Sequence, residues 1–267
     1  MTLRPTHFWP RRIRSWKRFN KHIANGSQPL LRELHRFPDS VLVAGCQRSG
    51  TTAVTRIIRN SGSFATFHIT RDDELDAALI LSGEQPYESA ERQCFQTTYV
   101  NDCYEEYFQP DGNFRLVWVI RNPFSVVYSM VYHWQADALN DLFDKCGARV
   151  AVENESTSGK ERSPAHYSSL EKACFSYVGK SLQLGEISAR LPGNRLLVID
   201  YDQMCKGPAR TLRTVFNFID VPFERRLVDA IHSSSVDKRK NLTERETTIV
   251  SRLCLDAYKQ LASYVDP

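Results

Sequence analysis

The stretch that most constrains this chain is VLVAGCQRSGTTAVTRIIRN, residues 41–60. Val41 to Ala44 is a short apolar run of the kind a strand buried on both faces requires. Gly45 and Gly50 bracket a turn, after which Val54, Ile57 and Ile58 recur at helical spacing. A strand feeding a helix through a glycine turn is the opening unit of a crossover α/β fold. The same geometry predicts that backbone N–H groups of Ser49, Gly50, Thr51 and Thr52 converge at a helix N-terminus, where an anion is favoured. Gly45 and Gly50 have the spacing of a Walker loop, GxxxxGK[ST], but Thr51 stands where that loop carries its lysine. Gln47 and Arg48 lie within the turn, and Arg48 supplies a cation early. The hydroxyls of Thr51 and Thr52 replace the lysine and the magnesium ligand. This pattern suits a phosphate held without an obligatory metal.

The rest of the chain alternates in the same way. Strands are expected at Phe64–Ile69, Gln93–Val100, Phe114–Ile120 and Arg195–Asp200. Helices are expected from Thr70 (with Asp73 completing a capping box) to Leu81, then at Asp102–Phe108, Pro123–Trp134, Ser168–Leu191, Ala209–Ile219 and Leu242–Tyr264. Cys146–Pro164, with its polar ENESTSGKERSP run, reads as a mobile loop. Alternating strands and helices predict a three-layer α/β/α fold around a mainly parallel sheet, of the P-loop-like nucleotide-binding kind. Residues 1–40 form a basic N-terminal arm, and residues 41–267 a single domain.

Charge is unevenly spread over the chain, whose net value is +4. Seven basic residues from Arg4 to Lys21 precede the first acid, Glu33, with Trp9, Ile13, Trp16 and Phe19 among them. Such an arm either packs its aromatics on the body or offers a basic face to a membrane surface or acidic partner. The remainder is close to neutral, which argues against nucleic-acid binding. No apolar run approaches the roughly 20 residues of a transmembrane helix, and no signal peptide is evident. The seven cysteines form no CxxC pair, so neither a zinc site nor a disulfide framework is signalled. Reduced thiols in a cytoplasmic setting are the expectation.

A second anion site is expected at VIRNPFSVVYSMVYHW, residues 119–134. Arg121 leaves the C-terminal end of a buried strand, where open α/β sheets bind ligands. Pro123 opens a helix, and Ser125 and Ser129 share one of its faces. One guanidinium and one hydroxyl then converge on one phosphate.

With two phosphate sites and no Walker lysine, the chain resembles the sulfotransferases that use 3′-phosphoadenosine-5′-phosphosulfate (PAPS) and release 3′-phosphoadenosine-5′-phosphate (PAP). GCQRSGTT is similar to their 5′-phosphosulfate loop, and RNPFSVVYS to their 3′-phosphate motif. FQTTYVN (Phe95–Asn101), LLVIDYDQM and SSVDKRKNLT (Ser233–Thr243) are weaker echoes, the last of a basic loop that closes over the nucleotide. The resemblance implies that Gln47, Arg48, Ser49, Gly50, Thr51, Thr52, Arg121, Ser129, Lys238 and Arg239 bind the nucleotide, that no metal is required, and that a hydroxyl of a small molecule or glycan accepts the sulfuryl group. Arg48 would stabilise developing charge.

The chain departs from the aryl and steroid enzymes at Gln96 and Thr97, where a lysine is common. The general base is therefore sought beyond the second expected strand, at His68 or Glu74, with Asp73 a weaker candidate and His133 and His166 outside this group. Phe67, Tyr99, Tyr128, Tyr132 and Trp134 are candidates to frame the acceptor. Two other readings remain open: a P-loop kinase or other NTPase, with Asp200 at the end of RLLVID in the manner of a Walker B aspartate, and a non-catalytic nucleotide-binding scaffold of the same fold.

Overall fold

The computed structural model describes residues 13–24, 28–108, 113–156, 163, 166–231 and 237–265. Four strands form one parallel sheet in the order β2-β1-β3-β4: β1 (Ser40–Gly45), β2 (Cys94–Gln96), β3 (Phe114–Ile120) and β4 (Leu196–Asp200). Among the described residues the α-helices are α1 (Trp16–Phe19), α2 (Thr51–Arg59), α3 (Asp73–Leu81), α4 (Pro123–His133), α5 (Ala136–Leu142), α6 (Ala148–Ser156), α7 (Ser169–Arg190), α8 (Tyr201–Lys206), α9 (Pro208–Phe218) and α10 (Glu244–Ala262).

Side chains alternate across the sheet because successive Cβ atoms point to opposite faces. Val41, Val43, Val117, Val119, Leu197 and Ile199 pack on one face against α2, α8 and α9, through Val54, Ile57, Ile58, Met204 and Leu212. Leu42, Ala44, Leu116, Trp118, Ile120 and Val198 pack on the other against α3, α4, α7 and α10. Each buried Val, Ile or Leu on these faces contributes about 1.5–3 kcal/mol. The three-layer expectation is met. It also sets the site, because β1 turns into α2 on one face while its neighbour β3 turns into α4 on the other. The chain diverges there, and the crevice between the two turns is the topological switch point of the sheet.

Several expected elements differ. Phe64–Ile69 forms no ladder. Phe64, Ala65 and Phe67 are buried, but β2 is only three residues long, and the segment contributes a single bond beside it, from Ala65 N–H to Arg92 O at 2.9 Å. The Ile69 and Thr70 N–H groups donate to the Asp76 carboxylate at 2.9 and 2.7 Å, so their backbone is satisfied locally. The α3 cap is Asp72, which accepts from Glu74 and Leu75 N–H, whereas Thr70 bonds Asp76 and the Asp72 carbonyl. The strand expected over Gln93–Val100 stops at Gln96 and tightens into a 3₁₀ turn at Thr98–Val100; Tyr104–Phe108 is likewise 3₁₀ rather than α.

The expected loop from Cys146 continues a π turn into α6 as far as Ser156. Ala151 buries against Phe143, Tyr167 and Phe175, and this small apolar face outweighs a polar composition. Residues 157–162 and 164–165 lie outside the described part.

From the arm, residues 1–12 lie outside the described part. Trp16 and Phe19 pack on Tyr99 at ring separations of 5.8 and 5.9 Å, and Trp16 Nε1–H donates to Asp72 Oδ2 at 2.8 Å. Arg14, Lys17, Arg18 and Lys21 remain exposed. All seven cysteines are free thiols. Among the described residues no helix is long and apolar enough to cross a membrane.

Candidate active site

The turn after β1 is held by its neighbours. A Cβ on Gly45 would sit 2.3 Å from the Val119 carbonyl oxygen, so only glycine lets β1 approach β3 this closely at its end. Gly50 has φ +99° and caps α2, and a Cβ there would meet the Tyr201 ring at 2.3 Å. Between them Arg48 adopts φ +69°, a left-handed conformation that costs a non-glycine residue on the order of 1 kcal/mol.

No side chain caps α2, so the N–H groups of its first turn lack intrahelical partners, and Gly50, Thr51, Thr52 and Ala53 face an open cavity. The Ser49 N–H, expected in this cradle, instead closes the turn onto Cys46 O at 3.1 Å. Ser49 is fully buried, with its hydroxyl unpartnered beneath the loop. The cradle therefore begins one residue later than spacing predicts.

The cavity measures about 310 Å³. Its lining brings together Gln47, Arg48, Gly50, Thr51, Thr52, Arg121, Ser129, Lys238, Glu74 and Trp134 from the sequence-predicted set, and adds Gln96, Thr98 and Tyr201. The two expected phosphate motifs are one structure: Arg48 Nε–H donates to Ser129 Oγ at 2.9 Å, and Arg121 NH1 donates to Arg48 O at 3.3 Å.

Arg121 is almost fully buried, lies over the Tyr201 ring at 4.8 Å and pairs with Asp202 at 3.5 Å. Asp202 also accepts from Asn122 N–H at 2.9 Å and Asn122 Nδ2 at 2.6 Å, which fixes the start of α4. Ser125 is spent locally, with its hydroxyl on Asn122 Nδ2 and the Lys238 N–H. Lys238 thereby enters the cavity wall, while Arg239 is exposed over the Phe124 ring at 4.8 Å. Ser233–Val236 lie outside the described residues.

The electrostatics point to an anion. Burial lowers the Arg48 pKa, and the Arg121 charge lowers it further. Burial lowers that of Lys238, and so do Arg121 and Arg48. Three cations thus repel one another across one cavity, an arrangement that a bound anion relieves. The donor set of guanidinium, ammonium and helix N–H fits phosphate and sulfate oxygens.

Across the cavity stands Glu74. It reaches in from the first turn of α3 and accepts from the Thr98 hydroxyl and from Gln96 Nε2, the latter at 2.8 Å. Gln96 Nε2 also contacts Thr51 Oγ1 at 3.3 Å, so a short chain of side chains joins the carboxyl to the anion cradle. Burial raises the Glu74 pKa to about 7, with Asp72 adding to the rise and the Thr98 and Tyr99 bonds and the Lys180 charge opposing it.

His68 is exposed, and it does not line the cavity. Asp73 pairs with Arg56 at 3.1 Å and Arg59 at 3.9 Å. His133 and His166 are exposed. Among the candidate aromatics only Trp134 lines the cavity: Phe67 and Tyr99 are core, Tyr128 packs at a tilt on Tyr132, and Tyr132 bonds Glu246. Asp200, compared above with a Walker B aspartate, caps α8 through Asp202 and Gln203 N–H and accepts from Tyr258 OH at 2.8 Å.

Sequence reading missed Tyr201, Asp202 and the bridging role of Gln96. The signal for Asp202 was present in the acid-rich IDYD at the end of β4.

A profile of the sulfotransferase domain matches residues 38–254. The chain belongs to the sulfotransferase family. Solved sulfotransferases share its fold at low identity. A mouse sulfotransferase complexed with PAP aligns with a TM-score of 0.51 and 13% identity, over 90% of this chain and 94% of that one. A sulfotransferase from Alicyclobacillus acidocaldarius aligns with 0.51 and 13%, over 86% and 97%. The sulfotransferase domain of the Synechococcus PCC 7002 olefin synthase aligns with 0.50 and 10%, over 87% and 98%. No curated protein sequence matches this sulfotransferase significantly.

Proposed function

We propose that the protein is a PAPS-dependent O-sulfotransferase that sulfates a hydroxyl of a small-molecule or glycan acceptor and releases PAP. The carrying observation is the single cavity that holds mutually repelling cations and a helix N-terminus on one side and a carboxyl poised near neutrality on the other. PAPS, when bound, supplies an activated sulfuryl group on a 5′-phosphate leaving group.

The chain's own residues then have separate tasks. Arg48 and the N–H groups of Thr51 and Thr52 stabilise the negative charge that grows on the phosphate side, as preorganised donors that need no reorientation. Arg121 and Ser129 hold the 3′-phosphate, with Lys238 beside them. Arg121 is fixed for this by Asp202, and Ser129 shares its hydroxyl with Arg48. Glu74 takes the proton from the acceptor hydroxyl, and a base with a pKa near the working pH is the efficient choice. Gln96 and Thr98 orient that carboxyl, and Trp134 offers an apolar wall to the acceptor. Sulfuryl transfer in line needs little more than positioning and charge stabilisation.

The test is calorimetric titration of PAP into metal-free protein, wild type and Arg121→Ala. Binding that the substitution weakens by more than about tenfold, roughly 1.4 kcal/mol, supports the reading. Absence of PAP binding, with ATP–magnesium bound instead, overturns it in favour of a kinase or NTPase. PAP binding without turnover across an acceptor panel leaves a nucleotide-binding scaffold.

A further inference from the structure

Lys180 lies at the middle of α7 and is 2% exposed, yet none of the roles above uses it. Its neighbours along the same face, Ala173, Tyr177, Leu184 and Ile187, are buried core residues, so the ammonium replaces what would otherwise be another apolar contact. A buried charge is retained at the expense of its hydration, and the environment must answer for it. Here Nζ donates to the Asn101 carbonyl at 3.4 Å and stands 5.8 Å from the centroid of Trp118.

Asn101 is itself unusual, with φ +51° and ψ −114°, a conformation disfavoured for any residue but glycine. Its side-chain oxygen accepts from Gln47 Nε2 at 2.7 Å, and the same amide donates to Thr98 O at 3.1 Å. Gln47 immediately precedes Arg48 in the anion turn. A second connection lies beneath the loop, where a void of about 10 Å³ is lined by Lys180, Tyr177 and Ser181 on one side and by Cys46, Ser49 and Arg121 on the other.

We infer that Lys180 is a positioning residue for the anion turn. Its ammonium pins the strained Asn101 peptide, Asn101 grips Gln47, and the buried charge adds positive potential behind Ser49 to Thr52. The cation that Thr51 does not supply from within the loop is supplied from behind it. Burial lowers the Lys180 pKa, and Cys146, Cys46, Glu74 and Asp102 oppose that fall. The groups that act on Glu74 are Thr98, Asp72, Lys180 and the Tyr99 backbone. Removing the lysine charge therefore withdraws support from the Glu74 carboxylate as well as from the bound anion.

This inference rests on the donor occupying the cavity as proposed above, and one experiment separates the two. PAP is titrated into wild type and Lys180→Met, a neutral side chain of similar length, and the pH profile of turnover is recorded for both. The expected result is about tenfold weaker PAP binding, a raised KM for the donor, and an acidic limb displaced to higher pH. A packing role alone would not move that limb. Wild-type binding with Lys180→Met within about twofold of it, and an unmoved limb, overturns the inference and leaves the sulfotransferase reading standing. A wild type that does not bind PAP overturns both. Should Lys180→Met not fold, Asn101→Gly carries the test, because it relieves the positive φ while deleting the amide that grips Gln47. Weakened PAP binding in that variant supports the relay, and unchanged binding overturns it.

Discussion

The donor and acceptor sides of the cavity solve opposite electrostatic problems. On the donor side Arg48, Arg121 and Lys238 are crowded until burial and mutual repulsion lower the pKa of Arg48 and Lys238. On the acceptor side a single carboxyl is buried until its pKa reaches about 7. On the donor side Arg48 and Arg121 are braced by neighbours in the two turns and by Asp202. The acceptor side depends on Glu74, Gln96 and Thr98, which come from two segments, the start of α3 and the end of β2 with the turn after it. One side concentrates positive charge, and the other holds a carboxyl that titrates near neutrality. Substitutions on the two sides should therefore fail in different ways.

The largest effect is expected at Arg48. Arg48→Ala removes the cation nearest the cradle and releases Ser129, and kcat/KM should fall by about 10²–10³. A loss confined to KM in steady-state kinetics would assign Arg48 to binding alone.

Next is Glu74→Gln, which should lower kcat by about 10²-fold while PAP affinity in calorimetry stays within about twofold. In wild type, activity should rise with pH through about 7 as the carboxyl ionises, and the variant should lack this limb. An acidic limb that persists in Glu74→Gln would move the base elsewhere.

The same residue gives a stability test. Because folding raises the Glu74 pKa from 4.5 to about 7, the folded state holds a proton that the unfolded chain has released between those values. Its contribution is therefore lost as pH rises through that window. Glu74→Gln does not titrate, so its Tm should gain on that of wild type between about pH 5 and about pH 8, by several degrees. A constant Tm difference across that range would mean that Glu74 is not desolvated.

The smallest effect is expected at Lys238. Lys238→Ala should weaken PAP binding about two- to fivefold, less at high salt, because a partly exposed ammonium is screened. A tenfold loss independent of salt would place Lys238 among the braced cations.

The two sides also differ in how they were read. Arg48 and the glycines that bend its turn lie within six residues, and Arg121 to Ser129 within nine, so local spacing alone singles out both motifs. Their fusion through the Arg48–Ser129 bond was not visible, because β1 and β3 become neighbours only in the sheet. On the acceptor side His68 and Glu74 were equal candidates. Acids in a first helical turn are explained by the helix dipole alone, so composition does not separate Glu74 from Asp72 or Asp73. Packing separates them: Asp72 caps α3, Asp73 pairs with Arg56 and Arg59, and Glu74 turns to the cavity. Phe64–Ile69 and Cys146–Ser156 were misread for a related reason, since alternation cannot show a missing ladder partner, nor polarity a small docking face.

Periodicity and spacing alone were enough to specify the parallel α/β architecture and the two turns that meet at the cavity. Both follow from interactions between residues close in the chain: strand and helix periods, a glycine turn, a helix N-terminus. The Glu74 carboxyl, the Arg121–Asp202 pair and the buried Lys180 owe their character to desolvation and to partners distant in sequence. Desolvation is a property of the packed interior, and it exists only once the sheet and its two helical layers have closed over these groups.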